Sequence, residues 1–550
     1  MRTFARPMLH VAATLLPLTL GAAGCSRLVA VDLTLAEPCG QENQALNGVS
    51  SFRIVSSGAE PDGVVAFTSD QPQTLQMGLG DKVVITVEAY ADDITAGGDP
   101  TAPSVLPKAA GATMPLAIGA ETDAVKGVVL IGKVDSFGAP RGAGGSCTAM
   151  TNGAAVPGRH GHTATYLPKV NKVLLFGGAV WTPDGAEAFL KSAEVYDPAT
   201  GTFSALPAPA NARAYHTATA LPDGRVLILG GFSVLNGTTA PLGSGLLVDV
   251  NADNTYVKVI RMRVPRAHHT ATLLDDVGLV GIIGGCTGYS LADGCAPDRA
   301  SGGSTTALTP SVEYVNVEDV GDETLAAAGN LSGGRAMHTA VAFPGGAAGF
   351  IAVAGGLNGV GALDTLELVP LAGGSFGDGL VTTGRLPEPL VRHQMVVVGD
   401  KTIALTGGQT QASNGILNPA APASAKATVC DLTLGAGTCN QWADMTSTRF
   451  GHAMARLRDG SLLVVGGVSP AGATAEVLRV VPEASAPTWV PTAGPLAVAR
   501  DRAAFALLGG DDSLDGFVNQ VLYSGGHSTV APYVTSSLTD IYFGSLSFGR

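Results

Sequence analysis

Basic residues are in short supply. Lys and Arg number 32 against 45 Asp and Glu, which gives a formal net charge of −13 at pH 7. Nucleic acid and anionic lipid surfaces both require a basic footprint, so neither is expected as a partner. Charged residues of both signs make up only 14% of the chain and aromatics only 5%. Against 46% hydrophobic residues, that balance describes a packed protein and excludes a disordered one. No Cys-x-x-Cys, Cys/His cluster at zinc spacing, phosphate loop or His-Glu-x-x-His segment occurs. An unbroken apolar span is missing too. The long uncharged run from Ala336 to Leu363 is interrupted by Pro344 and by glycine pairs, which suit a hairpin. Glycine is plentiful instead, with 74 residues beside 33 prolines, as many short strands joined by turns would require.

The first 25 residues read as an export signal. Arg2 and Arg6 precede the apolar stretch MLHVAATLLPLTLGAA, which is too short for a comfortable span. The stretch ends in AAGC, which resembles the lipobox of bacterial lipoproteins and implies lipidation at Cys25. Cleavage without lipidation is the other reading. Ser26 follows the cysteine, so the expected address is the cell envelope, at the outer membrane of a Gram-negative bacterium. Contact with membrane is then through the anchor alone. The six remaining cysteines suit an oxidising compartment. Cys286 and Cys295 lie nine apart, as do Cys430 and Cys439, leaving Cys39 and Cys147 to bracket the N-terminal region. Six cysteines permit other pairings.

An aliphatic run ending in Gly-Gly recurs along the rest of the chain. The pairs are Gly177–Gly178, Gly230–Gly231, Gly284–Gly285, Gly355–Gly356, Gly407–Gly408, Gly466–Gly467 and Gly525–Gly526. Upstream of each lies a second signature: RHGHTAT at Arg159, RAYHTAT at Arg213, RAHHTAT at Arg266, RAMHTAV at Arg335 and RFGHAMA at Arg449. The fifth copy, LVRHQMV, moves its arginine to Arg392; the seventh, RDRAAFA, has Ala503 in the histidine position. Downstream, segments such as SAEVYDPATGTF at Ser192 and TDIYF at Thr539 read as third and fourth strands.

This set of motifs resembles the kelch repeat over residues 155–550. The resemblance implies an all-β fold, a kelch-type β-propeller of seven four-stranded blades occupying residues 151–550. Residues 26–150 lack the repeat, and their alternating stretches predict a small β-sandwich-like domain and a linker. Ring closure can borrow a strand from before His160. The paired glycines are read as structural, ending strands where neighbouring backbone leaves no room for side chains.

His162, His216, His269, His338, His393 and His452 occupy equivalent places. Residues multiplied by a repeat serve the repeat, so a structural role is expected of them. Glu194, Glu313, Glu367, Glu476 and Asp540 recur likewise and are expected to pair with the repeated arginines between blades. Tyr215 and His216 match the Tyr-His pair of radical-copper oxidases of the galactose oxidase type, and the resemblance would make them copper ligands. A sugar mutarotase is a further enzymatic alternative. Asp511, Asp512 and Asp515 read as a solvated turn. The function expected is binding, without a cofactor, of a protein or glycan at the envelope, through the loops after Gly231, Gly285 and Gly408.

Overall fold

The structure, a computed structural model, describes residues 9–11, 28–38, 45–57, 59, 63–70, 75–96, 107–113, 116–119, 124–134, 136–138, 158–182, 186–252, 255–289, 295, 307–320, 324–413, 416–417, 422–433, 437–457, 459–481, 487–508, 520–527 and 539–543. Cys25, Cys39, Cys147, Asp511, Asp512 and Asp515 fall outside them. Among the described residues the fold is all-β. Helix is limited to single 3-10 turns, and no helix is long and apolar enough to cross a membrane.

The N-terminal part holds two sheets. Val29–Ala36 runs parallel to Ala124–Leu130 and antiparallel to Leu75–Met77. Leu9–Val11, inside the segment read as an export signal, pairs with Leu33–Leu35. The second sheet is ordered Gly132–Lys133, Ala109–Ala112, Gly80–Tyr90, Ser51–Ser57 and Gly63–Thr68. Val29, Val31, Leu33 and Leu35 alternate inward and join Phe52, Ile54, Ile85 and Val87 of the second sheet in one apolar cluster.

Seven antiparallel sheets follow. Their first strands are Thr163–Leu167, Thr217–Ala220, Thr270–Leu274, Thr339–Phe343, Gln394–Gly399, Ala453–Arg456 and Ala504–Leu508. The second strands each run into a glycine pair: Lys172–Phe176, Val226–Leu229, Leu279–Ile283, Phe350–Ala354, Thr402–Thr406, Leu462–Val465 and Gln520–Ser524. Each sheet has a third and a fourth strand, and the fourth sheet adds Ser375–Phe376. In the seventh sheet the outer strand is Ser136–Gly138, paired with Ile541–Phe543. A boundary at residue 150 therefore cuts off a strand that belongs with the C-terminal sheets.

The second strands are mostly apolar, as in VLIL at Val226–Leu229, because both of their faces are buried. Leu174 and Phe176 of the first sheet pack against Val226 and Ile228 of the second, whose Leu227 and Leu229 turn to Val280 and Ile282 of the third. Comparable clusters join sheets three and four, four and five, five and six, and six and seven. The last links seven back to one: Leu522 and Ile541 meet Val173 and Leu175. Packing order is thus cyclic, although among the described residues no sheet closes on itself. Glycine is required at these junctions. At Gly177 φ is +64°, and an added Cβ would lie 2.9 Å from the His216 ring and against the Arg213 carbonyl of the next sheet.

Candidate functional site

The repeated polar residues come first. Five of the arginines each pair with an acid inside a single sheet: Arg159 with Glu194, Arg266 with Glu313, Arg335 with Glu367, Arg449 with Glu476 and Arg500 with Asp540. The expectation of pairing between blades is corrected here. The arginine precedes the first strand and the acid sits on the third strand of the same sheet, or in the case of Glu476 immediately before it, so the pair ties the strand entry down. Four of these sheets, and the second, also direct the arginine at the carbonyl of their own first glycine, as in Arg266 to Gly284 at 2.8 Å. The second sheet has Leu246 where the acid stands elsewhere, and Arg213 bonds only to the carbonyls of Gly230 and Ser244, at 2.9 and 3.0 Å. Burial lowers the Arg213 guanidinium to about 10.

The histidines connect sheets. His216 Nε2 lies 3.0 Å from Thr163 Oγ1, His269 3.0 Å from Thr217, His338 3.1 Å from Thr270, and His393 2.7 Å from Thr339. His452 lies 2.9 Å from Thr406 and His162 2.9 Å from Ser524. In each case the partner belongs to the preceding sheet. At the junction that lacks a histidine, Tyr523 brings its hydroxyl beside Gly466, where imidazoles stand beside the other glycines. Both described disulfides form, Cys286–Cys295 and Cys430–Cys439, the latter between directly opposed residues of a hairpin with a Cα separation of 4.0 Å. They close a loop and a hairpin.

Tyr215 and His216 do not converge. His216 turns into the junction with the first sheet, whereas Tyr215 donates a short hydrogen bond to Glu187. Among the described residues no group of three or more His, Cys, Asp or Glu side chains is placed to hold a metal ion.

Just before each junction histidine, and before Ala503 in the copy that lacks one, the backbone turns left-handed. The seven residues are Gly161, Tyr215, His268, Met337, Arg392, Gly451 and Arg502, with φ between 51° and 62°. Six hydrogen bonds run from the N–H of each of the last six to the carbonyl of its predecessor, from Tyr215 to Gly161 (2.8 Å) through Arg502 to Gly451 (2.9 Å). These residues make a ring where the sheet entries meet. One residue earlier, each chain bridges the residue after its glycine pair: Ala214 with Phe232, Ala267 with Cys286, Ala336 with Leu357 and Phe450 with Val468. Polar residues enter this layer in the first, fifth and seventh sheets, as His160 opposite Ala179, Gln409 opposite Val391 and Asp501 opposite His527.

A cluster that the repeat does not generate results. The hairpin Ala179–Trp181 and Glu187–Phe189 places Trp181 and Glu187 over the ring. Glu187 accepts from Tyr215 and, at 3.1 Å, from Tyr289; its carboxylate is 3.5 Å from His160 Nε2. His160 Nδ1 is 3.1 Å from the Tyr215 hydroxyl. The Trp181 indole donates to His527 Nε2 at 2.9 Å, which leaves the ring proton on Nδ1, 3.5 Å from Asp501. Arg502 lies 3.3 Å from the other Asp501 oxygen. The rings of His160 and His527 are 4.0 Å apart. Trp181, Glu187 and Tyr289 in this cluster are polar or aromatic residues that the repeat does not multiply.

The two carboxyls are pushed in opposite directions. Burial raises Glu187 above the usual range, and the hydrogen bonds from Tyr215 and Tyr289 with the charges of Arg502 and Arg392 only partly offset it. Burial also acts upward on Asp501. There the hydrogen bond from His527 and the charges of Arg502, His527 and Arg392 outweigh it, and the group is lowered. Burial, with His527 and Arg502 nearby, holds His160 well below its ordinary value and so neutral. Burial next to Glu187 carries the Tyr215 phenol well upward.

No protein-family profile matches the chain, and no curated protein does. Among solved structures the chain is similar to the structure of YjhT, with 14% identity and a TM-score of 0.44 over 62% of this chain and 100% of that one.

Proposed function

We propose that this chain is an exported, lipid-anchored binding protein of the cell envelope, built as a seven-bladed kelch-type propeller that binds a glycan at the mouth of its ring. The cyclic packing of seven sheets and the glycine, arginine and histidine of each repeat support the architecture. Two disulfides among the described residues fit an oxidising compartment.

One observation carries the binding site. Trp181, Glu187, Tyr215, Tyr289, Asp501 and His527 come from four sheets to one place, and no repeat position requires them. Half-buried Trp181 and Tyr289 offer aromatic faces, and the carboxyls and imidazoles offer hydrogen bonds around them. A sugar ring, apolar on its faces and hydroxylated at its rim, suits that mixture. The site thus moves from the long loops to the ring centre. The test is calorimetric titration of glycans selected on an array, with wild type and Trp181→Ala. Affinity should fall about ten-fold or more in the variant. Unchanged affinity in Trp181→Ala, or no saturable glycan at all, would sink the reading.

A second reading, an enzyme acting on a sugar, is favoured by the opposed shifts of Glu187 and Asp501, the pattern by which acid and base roles are divided. Proton-exchange spectroscopy of the bound sugar, lost in Glu187→Gln with binding retained, tests it.

A further inference from the structure

Glu187, His160 and Tyr215 touch one another pairwise. The Tyr215 hydroxyl donates to Glu187 Oε1, His160 Nδ1 lies 3.1 Å from that same hydroxyl, and His160 Nε2 lies 3.5 Å from Glu187 Oε1. Three contacts thus close into a small ring of side chains. It joins the entries of the first two sheets to the hairpin that carries Glu187. His160 is fully buried, and among the described residues its Nε2 has no other hydrogen-bond partner.

The supply of protons decides how this ring is filled. A tyrosine hydroxyl and a neutral imidazole bring one proton each, and an ionised carboxylate brings none. The Tyr215 proton is committed to Glu187, so the imidazole bonds to the hydroxyl only as Nδ1–H. Nε2 then turns a bare lone pair on Glu187 Oε1, and an ionised carboxylate would answer with another. Such a contact is buried, unpaired and repulsive. One more proton, on Oε1, removes the conflict. Glu187 Oε1–H then donates to His160 Nε2, His160 Nδ1–H to the Tyr215 hydroxyl, and that hydroxyl back to Oε1. All bonds run in one direction, the arrangement in which each polarises the next. The other carboxyl oxygen remains a carbonyl and accepts from Tyr289 at 3.1 Å.

Placing the extra proton on His160 instead would create a buried ion pair. The surroundings oppose that charge separation. Burial first, then His527 with its ring 4.0 Å away and Arg502, hold the imidazole neutral. Burial likewise raises Glu187. The hydrogen bonds from Tyr215 and Tyr289 and the charges of Arg502 and Arg392, from the seventh and fifth sheet entries, pull the other way without prevailing.

We infer that this closed ring of hydrogen bonds keeps Glu187 a neutral carboxylic acid at neutral pH, which makes Glu187 the proton donor of the mouth and His160 the residue that positions its proton. The ring is a property of the ligand-free protein. Its use rests on the enzymatic reading above and deepens that reading by naming the acid. The Oε1–H bond breaks, the proton passes to an oxygen of the bound sugar, and the electron pair stays on a carboxylate. Tyr215 and Tyr289 already face that carboxylate as donors. Return of a proton to Oε1 restores the ring.

The test starts on the full mature chain without ligand at about pH 7, where an ordinary glutamate is ionised. Infrared difference spectra of wild type against Glu187→Gln should show the carbonyl stretch of a neutral carboxylic acid, lost in the variant. Long-range proton–nitrogen spectra, with His160 assigned by its loss in His160→Gln, should show a neutral ring protonated on Nδ1. Tyr215→Phe gives a readout that a merely structural role would not move. It frees the imidazole to carry its proton on Nε2 and donate to an ionised Glu187. The tautomer should therefore switch, and the acid band should titrate about one pH unit lower or more. Thermal melts check that the variants fold; where Glu187→Gln does not, the His160 tautomer and its switch in Tyr215→Phe carry the test. Absence of a Glu187-dependent acid band overturns the inference, as does a wild-type His160 that is charged or protonated on Nε2. If band and tautomer are as stated but the array-selected glycan exchanges protons equally fast in wild type and Glu187→Gln, the ring stands and the enzymatic reading falls.

Discussion

His216 Nε2 sits 3.0 Å from the hydroxyl of Thr163, a residue of the sheet before its own. The same relationship joins six of the seven junctions, so a side-chain pair adds to the backbone hydrogen bonds, such as Gly178 N–H to the Arg213 carbonyl at 2.8 Å, that link neighbouring sheets. Removing it has two costs, the packing of a buried ring and an unsatisfied hydroxyl. His269→Ala should therefore destabilise the protein by about 2–4 kcal/mol, and Thr217→Val by about 1 kcal/mol. Guanidinium unfolding curves measure both. An unchanged midpoint in His269→Ala would take the histidines out of the account of ring stability.

The same histidines set an acid limit. Each is buried and lowered, His338 to about 3 and His393 to about 4, chiefly by desolvation of the charged ring. In the unfolded chain they titrate near the ordinary value of about 6.5. Below that value the unfolded state binds protons that the folded state refuses, so folding stability falls as pH falls. Stability should be flat above about pH 7 and decline steadily between about pH 6.5 and 4, more steeply than in a variant with His269 and His338 replaced by Gln. Melting temperature against pH tests the sign. A maximum near pH 5 would contradict it.

Sheets five and two show what the arginine–acid pair is worth. In the fifth sheet Leu390 and Thr428 replace the arginine and the acid together, and the sheet still forms. Breaking one partner elsewhere strands a charge: Glu313→Thr should cost about 3–5 kcal/mol, because Arg266 stays buried without its carboxylate. Adding Arg266→Leu to that variant should recover a large part of the loss, giving a coupling energy of the opposite sign in a double-mutant cycle. Additive losses would show that Arg266 acts through its bond to the Gly284 carbonyl instead.

The strand-turn-strand periods and glycine pairs make the seven sheets legible from residue order alone, since continuous apolar second strands such as VLIL before Gly230 have no other home than between two sheets. A closing strand from before His160 is expected, and Ser136–Gly138 supplies it; the sequence did not single out these residues, because three residues carry no period and their partner lies in the last described strand. The direction of the acid–arginine pairs was likewise hidden, as spacing does not say which sheet an entry segment rests on. The candidate site is spelled out only as exceptions. His160 and Asp501 fill a place that holds alanine, valine or phenylalanine in the other copies, His527 one that is apolar in all but Gln409, and Arg392 is the arginine that slipped. Read as repeat decay, they say nothing. Read as a set at one layer, they mark the mouth. Glu187, on a hairpin present in only some sheets, had no signal in the repeat.

The Trp181–His527 hydrogen bond makes the last expectation specific. An indole can only donate, so its 2.9 Å contact with Nε2 fixes the imidazole proton on Nδ1, facing Asp501. Burial lowers His527, and Asp501 opposes that fall. Trp181→Phe keeps an aromatic ring but deletes the donor. His527 should then lose its single-tautomer signature, and its nitrogen shifts in long-range proton–nitrogen spectra should move toward the exchange average. Asp501→Asn should produce the same loss through the other nitrogen. Glycan affinity should fall more in Asp501→Asn than in Trp181→Phe, since the first also removes the carboxylate charge 3.3 Å from Arg502 while the second keeps the stacking face. If His527 remains a pure Nδ1–H tautomer in both variants, its orientation is imposed by the bridge to Asp501 along the backbone, and the side chains at the mouth are organised independently of one another.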